Sequence, residues 1–347
     1  MDNNNIENIT IDITEKVVEQ PEKKQLFLQG NLDSPHSVCI VIASHLSKEN
    51  RVDYLIECLN SLMAQTIVVP VYLTISFEND QINHAFASAF LKNTHLHNDF
   101  IYLYPQEQKT PQMRHISLLY PILKERYHWI MFCDDDDTYH EKRVETFLNS
   151  IDYCLRTIKE PNIFEGIYEQ QHNADHKQRR HEYWCYCVNQ RILGTFLNAI
   201  EKYPDVLDNK CCDVLFAEYI RRLGIEHTFG CLQDKLYNYR VDNNEDSVTG
   251  FIQKNNNQIR PARHVSNENM DECSQELNLY LDDNLSYYLH DTFLYSIVGQ
   301  SFDDILKSEF KSEYCIVDKI RKEHIDKMRD LYDHLREVSN LIYDIKI

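Results

Sequence analysis

The chain has 347 residues, of which 43% are hydrophobic and 11% aromatic, and its formal charge at pH 7 is −19. This is enough apolar material for a packed core, so wholesale disorder is excluded. The negative charge argues against nucleic acid or an anionic membrane surface as the main partner. Only 7 glycines are present, without a glycine-rich run, so a phosphate-binding glycine loop is not expected. Any anionic ligand would therefore need positive charge from a metal or a few basic side chains.

The sequence contains no export or membrane signal that we recognise. Its first residues, MDNNNIENITIDITEK, lack a basic start and an apolar core, which a secretory signal would have. No apolar stretch is long enough to cross a bilayer. Eleven cysteines without a paired spacing suggest reduced thiols. We therefore expect a cytoplasmic protein without a membrane span.

Apolar runs and helical stripes alternate from Val38 onward. The first run, VCIVIA, is typical of a strand buried on both faces, and a helix with apolar residues three and four apart follows over 52–63. Runs at 68–75, 100–104 and 129–133 predict three more strands, separated by helices. This alternation predicts a doubly wound α/β sheet, in which ligands gather beyond the carboxyl ends of the strands.

The second half of the chain is less regular. Thr138 and Glu141 have the spacing of a capping box, which predicts a helix that begins there. Two strands are expected over 162–169 and 182–189, on either side of a charged, histidine-rich loop. From about Leu285 the pattern is mainly helical.

The fourth predicted strand, WIMFC, ends in the four consecutive aspartates Asp134–Asp137. Like charges this close repel one another and raise the carboxyl pKa values unless a cation neutralises them. One interpretation is a solvated acidic turn that caps the next helix. The other is a site for Mg²⁺ or Mn²⁺, since these cations prefer oxygen ligands and could bridge to a diphosphate. An EF-hand loop fits poorly, because its alternating ligands and its glycine are missing.

Six segments together resemble GT-A glycosyltransferases, particularly family two. WIMFCDDDD is similar to the hydrophobic strand and Asp-x-Asp-Asp segment (the DXD motif) of that family. The other five follow the family's order: VCIVIASH for the nucleotide-binding turn, CLNSLMAQT for its "l-x-S-l-x-x-Q-t" helix, QMRH for "a-R-N", Cys212-Asp213 with FAEYIRRLG for "E-D" and "R-l-x-x-x-G", and YRVDNNEDSVT for "Y-R-x-H-x-x-S-x-S". These matches extend from Val38 to Thr249.

The resemblance implies a GT-A fold, a doubly wound mixed sheet flanked by helices. We predict a flexible N-terminal arm over 1–31, the glycosyltransferase domain over 32–252 and a mainly helical C-terminal region over 253–347. The implied activity moves a sugar from a nucleotide-sugar donor, a UDP-sugar by expectation, to a hydroxyl of a glycan, a protein or a small molecule. Mn²⁺ or Mg²⁺ would be the cofactor, and the anomeric configuration would be inverted.

The same resemblance assigns roles within the aspartate run. Asp134 and Asp136 form the Asp-x-Asp pair. Asp134 and Asp135 are assigned to donor binding, with the first near the ribose, and Asp136 and Asp137 are assigned to the metal. The sequence does not decide which of these last two touches the cation directly.

Five further residues are predicted to bind the donor. Arg114 and Arg240 are candidates for the diphosphate, because guanidinium groups match phosphate geometry, although each could be a surface ion pair. Ser44 and His45 end the first strand, where the base would lie, and Glu78 ends the second. His45 could instead be an ordinary exposed histidine, and Glu78 a solvated acid.

Asp213 is the candidate general base, because a positioned carboxylate can accept the proton of an attacking hydroxyl. It begins a helix predicted over 213–223, whose dipole favours the ionised form. Aspartate is also a common N-cap, so capping is the competing interpretation. If Asp213 is not the base, Asp242 and Glu218 are the next candidates.

The chain departs from the family at Cys212, where the family has glutamate, at Asp242, where it has histidine, and at 76–79, where it has Asp-Asp-Gly-Ser. Two other functions stay open, the second of them because of the departures at Cys212 and Asp242. One is a metal-dependent nucleotidyltransferase or phosphotransferase with the same acidic site. The other is a catalytically inactive sugar-nucleotide-binding module of the same fold.

Two further patterns have simpler interpretations. His172, His176, His181, Cys185 and Cys187 suggest zinc, but their spacing fits no common finger, so we favour a loop with buried thiols. Apolar residues at heptad spacing near the C-terminus allow a homo-oligomer through these helices. Because they span less than three heptads, we favour a helix docked on its own catalytic domain.

Overall fold

The structure, a computed structural model, describes residues 10–11, 26–27, 34, 36–158, 163–170, 181–224, 228–240, 270–310 and 320–345. The chain divides into two compact units. The first is Met1–Tyr239 with Lys346–Ile347, and the second is Arg240–Ile345. The domain limits at residues 31 and 252 remain predictions.

The strands of the described residues all belong to the first unit. In chain order they are β1 Thr10–Ile11, β2 Leu26–Phe27, β3 Val38–Leu46, β4 Ile67–Val68, β5 Val71–Phe77, β6 Ile101–Gln106, β7 Trp129–Cys133, β8 Thr138–Tyr139, β9 Gly166–Glu169, β10 Tyr186–Asn189, β11 Phe229–Leu232 and β12 Tyr237–Asn238. Eight of them form one sheet in the order β1-β11-β9-β10-β7-β3-β5-β6. β10 is antiparallel to β7 and β9, whereas the other described pairs in this sheet are parallel. The predicted mixed α/β sheet is therefore confirmed.

The helices flank this sheet and make up the described part of the second unit. Those of the first unit are α1 Asn50–Met63, α2 Asp80–Lys92, α3 Gln112–Leu123, α4 Arg143–Thr157, α5 Gln190–Ile200, α6 Pro204–Leu207 and α7 Cys212–Arg222. Those of the second are α8 Met270–Ile297, α9 Phe302–Phe310 and α10 Lys322–Tyr343, which confirms the helical C-terminal region. None of the described helices combines the length and the apolar character that a bilayer crossing requires.

The centre of the sheet brings the ends of three parallel strands to one edge. All five residues of β7 are buried, as are most of those of β3 and β5, because helices cover both faces of the sheet. Ile42 pairs with Cys133, and Ser44 and His45 pair with Ile75 and Ser76. The residues that follow these strands therefore meet at the carboxyl edge, where α/β proteins bind ligands.

The helix predicted after the aspartates is present, but its predicted start at Thr138 is wrong. Thr138 and Tyr139 form β8, which pairs with β12, and α4 begins at Arg143. Tyr139 is buried, and its hydroxyl donates a hydrogen bond to the carbonyl of Phe132 at 2.5 Å. Burial of this ring and pairing with a distant strand outweigh a capping-box spacing, which is a local preference only.

A buried ion pair holds β8, β9 and β12 around the start of α4. The Arg143 side chain is fully buried, and its Nε donates to Glu169 Oε2 at 2.9 Å. Its guanidinium lies 4.1 Å from the centre of the Tyr139 ring and 5.0 Å from that of Tyr237. Glu169 also accepts the backbone N–H of Tyr237 at 2.9 Å. This pair therefore fixes the position of Tyr237.

The second unit has its own apolar cluster. It consists of Leu281, Phe302, Leu306, Ile320 and Met328. Of the heptad-spaced side chains of α10, Met328, Leu335, Val338 and Ile342 are buried and Leu331 is half-buried, so most of this face already packs inside the chain. A homo-oligomer through the C-terminal helices remains a prediction.

We predict that Arg143→Met will lower the free energy of unfolding by about 3–5 kcal/mol, because Glu169 would be left as a buried, unpaired charge. Urea denaturation followed by circular dichroism measures this change. The control is Arg156→Met on the same helix, since Arg156 is 72% exposed beside Asp152 and should matter by about 0.5 kcal/mol or less. Equal effects of the two substitutions would contradict the role of the buried pair.

Candidate functional site

The aspartate run forms a turn in which buried and half-buried side chains alternate. Asp135 and Asp137 are only 7% and 1% exposed, whereas Asp134 and Asp136 are half-buried. The backbone N–H of Asp137 donates to the carbonyl of Asp134 at 3.3 Å and closes the turn. Two of the four carboxylates therefore point into the protein, and two lie at the edge of the sheet.

Arg51 bridges two of these carboxylates. Its Nη2 donates to Asp135 Oδ1 at 2.5 Å, and its Nη1 donates to Asp136 Oδ2 at 3.2 Å. Asp135 Oδ2 also accepts the Ser44 hydroxyl at 2.5 Å. Ser44 and Asp135, both predicted to bind the donor, are thus hydrogen-bonded to one another, and Asp135 is also bonded to Arg51.

Tyrosine hydroxyls and one amide hold the other two aspartates. The Tyr237 hydroxyl donates to Asp137 Oδ2 at 2.8 Å and accepts the backbone N–H of Asp134 at 3.0 Å. Gln112 Nε2 donates to Asp134 Oδ1 at 2.9 Å, and the Tyr183 hydroxyl donates to the same oxygen. Asp137 is therefore fixed inward, while Asp134 accepts two donors at the edge of the site.

The electrostatics of the turn favour additional positive charge. Burial, followed by the charges of Asp137 and Asp136, raises the pKa of Asp134 well above its usual range. Burial also raises the pKa of Asp135, although the charge of Arg51 opposes this effect. A raised carboxyl pKa means that the ionised form lacks compensation, so a cation bound here would stabilise it.

Asp213 lies near this turn, on the second residue of α7. The N-cap of the helix is Cys211, so the capping interpretation of Asp213 is wrong. Asp213 is half-buried. After burial and closer charges, its negative charge contributes to the raised pKa values of Asp134 and Tyr183. A carboxylate from another part of the chain thus stands within electrostatic reach of the aspartate run.

The two alternative base candidates differ from Asp213. Glu218 is 1% exposed and accepts hydrogen bonds from Arg221 and Arg222 at 2.6 and 2.7 Å. The two arginines thus engage both carboxylate oxygens of Glu218 within its own helix. Asp242 lies outside the described residues.

His45 and Glu78 form a separate polar group at the ends of β3 and β5. His45 Nε2 lies 3.0 Å from Glu78 Oε2, and its Nδ1 lies 3.0 Å from Ser76 Oγ. The hydrogen bond from His45 lowers the pKa of Glu78, with Lys109 adding to this effect. Behind them, burial lowers the pKa of His115 to about 4, so its ring is neutral near pH 7. Neither His45 nor Glu78 is an isolated surface residue.

The two arginines assigned to the diphosphate have different positions. Arg114 Nε donates to Asp208 Oδ1 at 2.7 Å, the ion pair that the sequence analysis gave as its alternative role. Arg240 begins the second unit and is half-buried there. The segment 241–249, which completes the last family-like motif, lies outside the described residues.

The zinc pattern gains no support. His172 and His176 lie outside the described residues. His181, Cys185 and Cys187 are buried, and they belong to no cluster of metal-binding side chains within the part of the chain that is described. Buried thiols remain the interpretation of the two cysteines.

The aspartate turn fits a hard cation in its donor chemistry, because Mg²⁺ and Mn²⁺ suit carboxylate oxygens. Among the described residues, three metal-binding side chains converge only at Asp282, Glu323 and His324 in the second unit. The turn therefore supplies fewer than three converging side chains, with Asp134 and Asp136 at its edge. That suits the usual arrangement for Mg²⁺, in which one or two carboxylates act together with substrate phosphates and water.

Sequence reasoning missed four of the residues that surround the aspartates. They are Arg51, Gln112, Tyr183 and Tyr237. The position of Arg51 in the first turn of α1 could have indicated a role. The helix dipole disfavours a cation there, so an arginine at this position points to a nearby acid. The tyrosines had none, because they come from segments 49 and 103 residues beyond Asp134.

No protein-family model matches the chain, and no curated protein matches its sequence. The solved structures it resembles include TarS from S. aureus, with a TM-score of 0.40 and 12% identity over 88% of this chain and 54% of that one. Another is 4-diphosphocytidyl-2C-methyl-D-erythritol synthase from Anaerococcus prevotii, with a TM-score of 0.37 and 10% identity over 62% of this chain and 96% of that one. A third is Mycobacterium tuberculosis glucosyl-3-phosphoglycerate synthase in complex with Mn²⁺, UDP and phosphoglyceric acid, with a TM-score of 0.36 and 9% identity over 65% of this chain and 79% of that one.

All three TM-scores are 0.40 or lower, and all three identities are 12% or lower. The chain spans 54% of the length of the TarS structure. TM-scores below 0.5 carry no argument about activity or substrate. Any function proposed for this chain therefore rests on its own residues.

Proposed function

We propose that this protein is a glycosyltransferase that moves a sugar from a UDP-sugar to an acceptor hydroxyl, with Mn²⁺ or Mg²⁺ at the aspartate turn. The observation that carries the proposal is that candidate metal-binding carboxylates lie at the sheet edge with a candidate general base near them. Asp134 and Asp136 are half-buried there, and Asp213 is within electrostatic reach. The ordered sequence motifs add to this support.

Asp136 is our candidate for direct contact with the cation. It is half-buried, whereas Asp137 is 1% exposed and accepts the Tyr237 hydroxyl. We assign Asp137 to holding the turn, and Asp134 to the donor beside Gln112. When bound, the cation would offset the negative charge that develops on the departing nucleoside diphosphate. The role that the sequence assigns to Arg240 remains a prediction.

Asp213 is our candidate base. In a single displacement, the acceptor oxygen forms a bond to the anomeric carbon while the bond from that carbon to the diphosphate oxygen breaks. The acceptor proton passes to the Asp213 carboxylate, and the bonding electrons leave with the diphosphate. The N-terminal dipole of α7 favours the ionised carboxylate that this step needs. One displacement of this kind inverts the anomeric configuration.

We predict that Asp136→Asn will weaken Mn²⁺-dependent binding of UDP about tenfold or more, because a charge is lost at the cation. The melting temperature should change little. Isothermal titration calorimetry with and without Mn²⁺ measures the effect. Asp137→Asn is the matched control, since an amide oxygen can still accept the Tyr237 hydroxyl. A larger loss in the control would reverse the two assignments, and UDP binding unaffected by EDTA would exclude the metal.

We predict that Asp213→Asn will lower turnover about a hundredfold or more, because the proton acceptor is removed. Folding should lose about 0.5 kcal/mol, the usual effect of one charge in a first helical turn. Donor affinity should stay the same, since the base acts on the acceptor. Asp80→Asn, in the first turn of α2, controls for the helix dipole. Normal turnover in Asp213→Asn would remove Asp213 from the mechanism.

A further inference from the structure

Arg51 is held tightly in the site although the proposed mechanism gives it no step. Its side chain is only 12% exposed, and it spans Asp135 and Asp136 with separate nitrogens. Because it lies in the first turn of α1, its backbone is fixed beside the carboxyl edge of the sheet. The guanidinium thus occupies the position of a cation between two of the four aspartates.

When a guanidinium and a divalent cation bind the same carboxylate, each weakens the binding of the other. Both are positive, and their repulsion is weakly screened in a site that is largely closed to water. Asp136 is the residue they share, since Arg51 donates to its Oδ2 and we assign it to the metal. Asp135 is different, because Ser44 and Arg51 already occupy both of its oxygens.

We propose that Arg51 is a resident counter-charge, which holds Asp136 while no divalent cation is bound and must release it when the cation enters. The inference rests on the proposed function, because it assigns the cation to Asp136. After release, the guanidinium can stay on Asp135 and offer its free donors to the diphosphate. Arg51 therefore weakens binding of the metal alone and makes metal binding depend on the nucleotide.

This device would suit a strongly acidic protein. Without a competing positive charge, the aspartate turn would hold a divalent cation whether or not the donor is present. With Arg51, the diphosphate supplies the anion that draws the guanidinium away from Asp136. Metal and nucleotide would then bind with positive coupling, each raising the affinity for the other by the same factor.

A purely structural role makes a different prediction. If Arg51 only joins α1 to the aspartate turn, then its loss lowers thermal stability and leaves the affinity for metal unchanged or weaker. A role in binding the diphosphate alone lowers the affinity for UDP without changing that for the free metal. The direction of the change in metal affinity therefore separates the three roles.

The test is electron paramagnetic resonance of Mn²⁺ bound to the full chain, with and without UDP. Arg51→Gln should bind Mn²⁺ alone about tenfold more tightly than the unmodified protein. The increase in affinity on adding UDP should shrink by a similar factor. Arg51→Lys keeps the charge and should stay near the unmodified protein. Arg156→Gln, which removes an exposed arginine from α4, should change neither value.

Two outcomes would overturn the inference in distinguishable ways. If the unmodified protein binds Mn²⁺ but Arg51→Gln binds it no more tightly, the resident counter-charge is wrong and the proposed function stands. If neither protein binds Mn²⁺ with or without UDP, the metal site of the proposed function falls as well.

A second measurement applies if Arg51→Gln does not fold. In the unmodified protein with ¹⁵N-labelled arginine, saturating Mg²⁺ should shift the side-chain Nε signal of Arg51 and leave that of Arg156 in place. An unchanged Arg51 signal at saturation would overturn the inference.

Discussion

Mutual repulsion among four consecutive carboxylates is the constraint around which this site is built. A strand end can present such a run only if each charge has a partner or reaches solvent. The turn after β7 meets this requirement by alternation. Asp135 and Asp137 point inward to Arg51 and Tyr237, which leaves Asp134 and Asp136 at the sheet edge. The same alternation separates carboxylates that hold the turn from those that can meet a ligand.

The inward partners connect this turn to the packing of the domain. Tyr237 contacts Asp137 through its hydroxyl, while its backbone N–H is held by Glu169. Glu169 in turn pairs with the buried Arg143 at the start of α4. The geometry of the aspartates therefore depends on a buried ion pair in a neighbouring part of the sheet, and a loss of that pair would disturb both stability and the site.

The sequence predicted those features that depend on local composition. β3 and β7 were predicted because strands buried on both faces are continuous apolar runs. The aspartate run was predicted to be a candidate site because its four acids are consecutive. The helix start at Thr138 was predicted wrongly, since capping spacing is local whereas β8 forms by pairing with β12. Tyr183 and Tyr237 could not be predicted, because only the tertiary fold brings them to Asp134. Local patterns thus gave the acids of the site but not their partners.

The overall charge of −19 leaves few sources of positive charge for an anionic donor. Within the described part of the first unit, Arg51 contacts the aspartates directly, whereas Arg114 is paired with Asp208. A divalent cation would add what one guanidinium does not supply. The Arg51 guanidinium and the divalent cation would then together neutralise the negative charge of the carboxylates and the diphosphate.

In the proposed reaction, the bond broken in the donor joins the anomeric carbon to the diphosphate oxygen. A nucleotidyltransferase with the same acidic site would instead break a bond at phosphorus. The most direct test is ³¹P nuclear magnetic resonance of the protein with Mn²⁺ and a panel of UDP-sugars, with and without hydroxyl acceptors. We predict UDP as the nucleotide product for at least one donor, through slow hydrolysis even without an acceptor. Formation of UMP, or no cleavage of any donor, would contradict it.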